Sequence, residues 1–141
     1  MFSKILGRAA VAATAAGLAL AVGMGTAQAS TGSPYVGYGY TNNTHAVWCV
    51  QHLANDIART YDHPTIGEDG VFGPATYDMV RWIQGSALSF EGLTVDGVVG
   101  KATGYALLYW GDSYYGGNGY CMGYVPSTSN YIPPSPPVEL D

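Results

Sequence analysis

Charge is scarce in this 141-residue sequence: only 11% of the side chains are charged, and just five are basic. That shortage excludes one large class of partner, because nucleic-acid binding needs many Lys and Arg side chains to neutralise phosphates. Long apolar runs are missing beyond the N-terminus, so no internal segment is expected to cross a membrane, which takes ~20 consecutive apolar residues. Familiar catalytic patterns are missing too: there is no His-Glu-x-x-His, no Gly-x-Ser-x-Gly and no phosphate loop. Cysteine is limited to Cys49 and Cys121.

What is present begins with an export signal. Lys4 and Arg8 form a positive start, the run from Ala9 to Met24 is apolar and rich in Ala and Gly, and Ala27-Gln28-Ala29 is a small-x-small cleavage site. Residues 1–29 are therefore expected to be a signal peptide, with the mature chain starting at Ser30. Removing Lys4 and Arg8 leaves Arg59, Arg81 and Lys101 against ten acidic residues and takes the formal net charge from −5 to −7. Such a chain suits a neutral ligand or one carrying cationic groups. A pair of cysteines in an exported protein reads as a disulfide, Cys49–Cys121. That bond would stabilise the fold by ~4 kcal/mol in the chain-entropy description.

The mature chain divides by composition. Residues 30–43 are polar and rich in Gly and Tyr, residues 44–124 carry the globular signal with a Gly/Tyr-rich extension, and residues 125–141 read as a weakly ordered Pro-rich tail. Three helices fit the globular part. The first opens with Thr44 as N-cap, repeats Val47, Val50, Leu53, Ala54 and Ile57 at helical spacing, and stops before Asp62-His63-Pro64. The second follows Gly73 with Pro74 at its first position, carries Thr76, Met79, Val80 and Ile83 on one stripe, and can end at Gly85. The third runs from about Lys101 to Tyr109, with Ala102, Tyr105, Ala106 and Leu108 or Tyr109 facing inward.

An internal repeat underlies this pattern. Val47-Trp48-Cys49-Val50-Gln51 aligns with Val80-Arg81-Trp82-Ile83-Gln84, and Asp69-Gly70-Val71-Phe72-Gly73-Pro74-Ala75-Thr76 aligns with Asp96-Gly97-Val98-Val99-Gly100-Lys101-Ala102-Thr103. In each copy the Asp can accept backbone amides two or three residues on, which fixes a turn, and the first Gly permits positive φ. Phe72 or Val99 plugs the core, and Gly73 or Gly100 brings the chain closely into the next helix. Thr76 and Thr103 fall in the first helical turn. Asp69 and Asp96 are read as turn formers in preference to a catalytic carboxylate pair, because their contexts are identical.

These two copies, with a Gln-bearing helix ahead of each, resemble the peptidoglycan-binding domain 1 family over about Ala46 to Leu108. The resemblance implies an all-α, compact three-helix module with pseudo-twofold symmetry, usually attached to cell-wall enzymes. The stretches Asn55 to Glu68 and Ser86 to Thr94 are longer than the family pattern.

Other constellations compete for a role. His45, Cys49 and His52 share one helical face, the spacing of a zinc site or a Cys–His nucleophile pair; the plainer reading pairs Cys49 with Cys121 and leaves the histidines at the surface. Asp56 and Glu91 read as single solvated acids. Five tyrosines and Trp110 lie between Tyr109 and Tyr124 among five glycines. They either pack over the helices near the disulfide or stack on sugar faces. Trp48 and Trp82 sit beside the apolar stripes, which predicts partial exposure.

The expectation is therefore a secreted, cell-wall-associated, monomeric, non-catalytic protein that binds peptidoglycan or its fragments. The ligand-contact candidates are Trp48, Tyr77, Arg81, Trp82 and Tyr105. No cofactor, metal, nucleic acid or stable membrane insertion after cleavage is implied, and a secreted cell-wall enzyme is a further partner. The rival readings are a protein-interaction or inhibitory module on the same fold, and a small cell-wall hydrolase.

Overall fold

The computed structural model describes residues 32–134. The expected signal peptide with its cleavage site and the last prolines of the tail lie outside the described residues. Three α-helices order the described chain: α1 (Thr44–Thr60), α2 (Pro74–Trp82) and α3 (Lys101–Trp110). The described residues form no β-strand, only an isolated antiparallel bridge between Val36 and Val99. The fold is an all-α three-helix domain.

Each helix boundary has a local cause. Asn43, not Thr44, caps α1: its backbone is extended, and its carboxamide oxygen accepts the amides of His45 (2.8 Å) and Ala46 (3.3 Å). Thr44 is the first helical residue. At the other end Asp62 takes a left-handed conformation (φ 55°), and the amides of Asp62 and His63 return to the carbonyls of Arg59 and Ala58. That is a Schellman closure with Asp in the place usually held by Gly, and Pro64 follows it. Pro74 starts α2 behind an extended Gly73.

Gly85 does not end the second helix. The chain continues as a π-helical turn over Ile83–Ala87, with the Leu88 amide bonded to the Ile83 carbonyl at 2.9 Å. A 3₁₀ turn, Ser89–Glu91, follows, and Gly92 (φ 68°) closes it. The wider π turn absorbs the extra length noted at Ser86–Thr94 while Ala87 and Leu88 stay in the core. The long Asn55–Glu68 stretch is also pinned. Buried Asn55 donates to the Ile66 carbonyl (2.8 Å) and to Glu68 (2.9 Å), and accepts the Ile66 amide (2.8 Å).

The core joins Val47, Val50, Leu53 and Ile57 of α1 to Met79 and Val80 of α2, Ile83 and Leu88 beyond it, and Leu107 and Leu108 of α3. Ala102 points to solvent; the inward face of α3 is Thr103, Gly104, Ala106, Leu107 and Leu108. Val99 is fully buried, whereas Phe72 is half-buried with its edge against Tyr38. The flanking segments also enter the core. Val36, Val125 and Ile132 are buried, and each such side chain contributes about 1.5–3 kcal/mol before ordering costs. Asn118 holds the Ile132 backbone through a reciprocal pair of bonds, 2.9 and 3.1 Å. The segment up to Pro134 thus packs as part of the domain and is not a loose tail.

Candidate functional site

Two buried glutamines organise the repeat. The two N–H groups of Gln51 are shared among three acceptors, Asp69 Oδ1 (2.9 Å), the Val71 carbonyl (3.1 Å) and Thr76 Oγ1 (3.0 Å), and its oxygen accepts the Gly70 amide (2.9 Å). Gln84 does the same one repeat later, to Asp96 (3.1 Å), Val98 (2.9 Å) and Thr103 (3.1 Å), and accepts the amides of Asp96 (3.0 Å) and Gly97 (2.9 Å). Asp69 and Asp96 also accept the amides of Val71 and Val98. The Val71 amide and Gln51 hold the Asp69 carboxyl below its ordinary range. Gly70 and Gly97 both adopt φ 74°. A Cβ at Gly70 would meet the Thr44 methyl, and one at Gly97 would meet the Tyr77 ring. The polar groups of both turns are thus committed to the scaffold. The recurring Gln was visible in the sequence, but its role as the centre of each knot was not.

The five contact candidates are dispersed among separate ring groups. Tyr77 and Arg81 come together on α2, with the guanidinium 5.8 Å from the ring centroid, and the Tyr38 ring lies 5.2 Å from that of Tyr77. Trp82 stacks on His63 at 3.7 Å, with Tyr61 edge-on. Tyr105 lies parallel to Tyr109, which meets Trp110 and, through it, Phe90. The Trp110 indole donates to Glu91 at 2.7 Å, so Glu91 is not merely solvated.

Trp48 belongs to the largest ring group, a ridge on α1 faced by the segment after α3. Its indole stacks on His52 (4.8 Å, 11°) and receives the edges of Tyr115 (5.4 Å) and Tyr120 (6.3 Å). His45 stacks on Tyr124 at 5.2 Å and bonds the Tyr120 hydroxyl at 2.8 Å. Tyr114, which packs on Tyr115, is 77% exposed. The disulfide Cys49–Cys121 (Cα–Cα 5.5 Å) lies buried beneath the ridge and ties its two sides together. Cys49 therefore offers no thiolate for metal binding or nucleophilic attack. The Gly/Tyr-rich segment both packs near the disulfide and displays rings.

At one end the ridge opens on a groove of about 240 Å³ bordered by Tyr35, Asn43, Ala46 and Tyr124. That is below the ~300–1,000 Å³ usual for small-molecule sites. At the other end His52 bonds Glu68 through Nδ1 and Asp112 through Nε2, both at 3.0 Å. Burial works against a charged His52, but the bonds to Asp112 and Glu68 outweigh it and raise its pKa above 6.5. Burial likewise opposes the charge on Glu68 and Asp112. Bonds from Asn55 and His52 to Glu68, and from His52 and the Tyr114 amide to Asp112, outweigh it and hold both carboxyls below their ordinary range.

Comparison with known proteins bears on the middle of the chain. Residues 51–107 match the family described as "Putative peptidoglycan binding domain". This segment belongs to that family. Searches among curated proteins and among solved structures give no match. The peptidoglycan-binding segment starts at the first knot glutamine and ends within α3, so it contains both knots together with Tyr77, Arg81, Trp82 and Tyr105. Trp48 and the residues 112–124 that complete the ridge flank it in sequence.

Proposed function

We propose that this protein binds cell-wall peptidoglycan outside the cytoplasm and leaves it chemically intact, with the α1 ridge as its main contact surface. The peptidoglycan-binding family of residues 51–107 supports the partner. The observation that carries the site is the ring group of Trp48, Tyr115, Tyr120 and Tyr124 beside the polar edge of His45. Sugar rings offer apolar C–H faces that stack on flat side chains, while their hydroxyls bond to neighbouring polar atoms. Absence of catalysis is supported by the oxidised Cys49 and by the use of Asp69 and Asp96 inside their knots. Export is supported by the N-terminal signal pattern and the disulfide.

The test is co-sedimentation with purified sacculi. The mature protein should pellet with them, release no soluble muropeptides, and pellet less after Trp48→Ala or Tyr115→Ala. The Tyr77–Arg81 patch is a separate surface within the family segment. Loss of pelleting on Tyr77→Ala with Arg81→Ala, but not on Trp48→Ala, would move the site to α2. A tight complex with a secreted enzyme and no sacculus binding would favour the protein-interaction reading instead.

A further inference from the structure

The surroundings of His52 ask for one proton more than a neutral imidazole can supply. Both ring nitrogens lie 3.0 Å from carboxylate oxygens, Nδ1 from Glu68 Oε2 and Nε2 from Asp112 Oδ2. A neutral ring has one N–H and one lone pair, and a carboxylate only accepts. Two such contacts hold together only if the ring is imidazolium or one acid is protonated. The other carboxylate oxygens are already occupied: Glu68 Oε1 accepts from Asn55 (2.9 Å), and Asp112 Oδ1 accepts the Tyr114 amide (2.7 Å). Both carboxyls are held below their ordinary range and the imidazole above its own, which places the shared proton on the ring.

Two of the three segments that meet at His52, α1 and the segment after α3, build the ridge, and the third leads into the first Asp-Gly turn. His52 lies on α1 one turn from Trp48, Glu68 immediately precedes the first Asp-Gly turn, and Asp112 opens the segment that carries Tyr115. The imidazole forms the floor on which Trp48 stacks, and the Tyr115 edge rests on both rings, 4.7 Å from His52. The other charged and titratable neighbours are few. Asp56 adds to the negative surroundings, Arg59 stands 4.0 Å from both Asp56 and Glu68, and Tyr120 and His45 lie beyond Trp48. No second cation is placed to bridge Glu68 and Asp112 among the described residues, so the ring performs that task.

We propose that His52 is a proton-operated latch for wall binding: as imidazolium it clamps Glu68 and Asp112 and holds Trp48 and Tyr115 in binding order, and on losing its proton it loosens the ridge. Deprotonation turns one charge-assisted bond into a lone pair facing a carboxylate, which is repulsive at 3.0 Å. The disulfide keeps the segments tethered, so the change is confined to the ring group. The consequence for wall binding rests on the function proposed above; the latch itself does not.

The experiment follows His52 and the ridge together. The pH titration of the imidazole protons by NMR, assigned by their loss in His52→Gln, gives the His52 midpoint. Tryptophan emission is followed in a His63→Asn background, because His63 stacks on Trp82. Sacculus pelleting is measured across the same pH range. The His52 midpoint is expected above 6.5, with an emission step and a several-fold loss of pelleting at that midpoint. Asp112→Asn should lower all three midpoints together by about one pH unit, the scale of losing one neighbouring opposite charge. Trp48→Phe should remove the emission step, and His52→Gln should remove both pH steps. Pelleting and emission that stay flat while His52 titrates, or steps that persist in His52→Gln, overturn the latch. A protein that ignores sacculi at every pH contradicts the proposed function, and the emission step alone then decides for or against the latch.

Discussion

Replacing Gln51 by Leu should unfold this domain more readily than almost any other single change. The substitution keeps the approximate volume and removes the two N–H donors that Asp69, Val71 and Thr76 share and the oxygen that accepts the Gly70 amide. Gly70 and Thr76 are buried, so the Gly70 amide and the Thr76 hydroxyl lose their partner without gaining water. Each stranded buried group costs ~1–3 kcal/mol, and Leu recovers part of that by burying apolar surface. A net loss of about 3–4 kcal/mol follows, against a total of ~5–15 kcal/mol for a domain of this kind. Urea denaturation with the disulfide intact, followed by far-UV circular dichroism, measures it; Tm should fall on the order of 15 °C. Gln84→Leu should cost at least as much, since Gln84 also accepts the Asp96 amide. A change below about 1 kcal/mol in both variants would refute the claim that the glutamines hold the turns.

Gly104→Ala should destabilise by more than ~2 kcal/mol, because a Cβ there would collide with the Pro126 carbonyl, backbone to which α3 packs tightly; thermal melts check it. Reduction of Cys49–Cys121 should cost ~4 kcal/mol for its separation of 72 residues and should weaken sacculus pelleting by freeing one side of the ridge. Stability should also depend on pH at both ends. The His52 pKa is raised on folding, so its contribution is complete below 6.5 and fades as pH rises through the higher folded value. Glu68 and Asp112 are lowered, so theirs is complete above 4.5 and 3.8 respectively and fades as pH falls through the lower folded values. Melts from acid to alkaline pH should show a plateau between these limits, and His52→Gln should remove its alkaline shoulder.

Much of the fold was legible because the repeat wrote it twice. The spacing of Asp, Gly and Thr marked both turns, and the 3.6-residue pattern marked α1. Other features depend on contacts that no local pattern carries. A buried Gln on a helix looks like any surface Gln until the turn arrives to engage its N–H groups and its oxygen. Val36 and Ile132 stand alone among Gly, Tyr and Pro, so nothing in their neighbourhood signals burial; the Val99 bridge and the Asn118 pair supply it. Gly85 has the composition of a helix end, yet the Leu88 side chain must reach the core and the i+5 bond carries the chain past it. For the site, side-chain type pointed to exposed aromatics but not to their grouping. Tyr115, Tyr120 and Tyr124 become one surface with Trp48 only when the disulfide folds the later segment over α1.

The peptidoglycan reading meets its most direct test in quantitative sacculus binding of the mature protein beside its Trp48→Ala variant, with folding of both confirmed by the disulfide-intact urea transition. The expected result is saturable binding by the native protein and an affinity about tenfold lower or worse in the variant, the loss of an anchoring aromatic worth ~1.4 kcal/mol or more. Native protein that stays in the supernatant at every concentration would contradict the account.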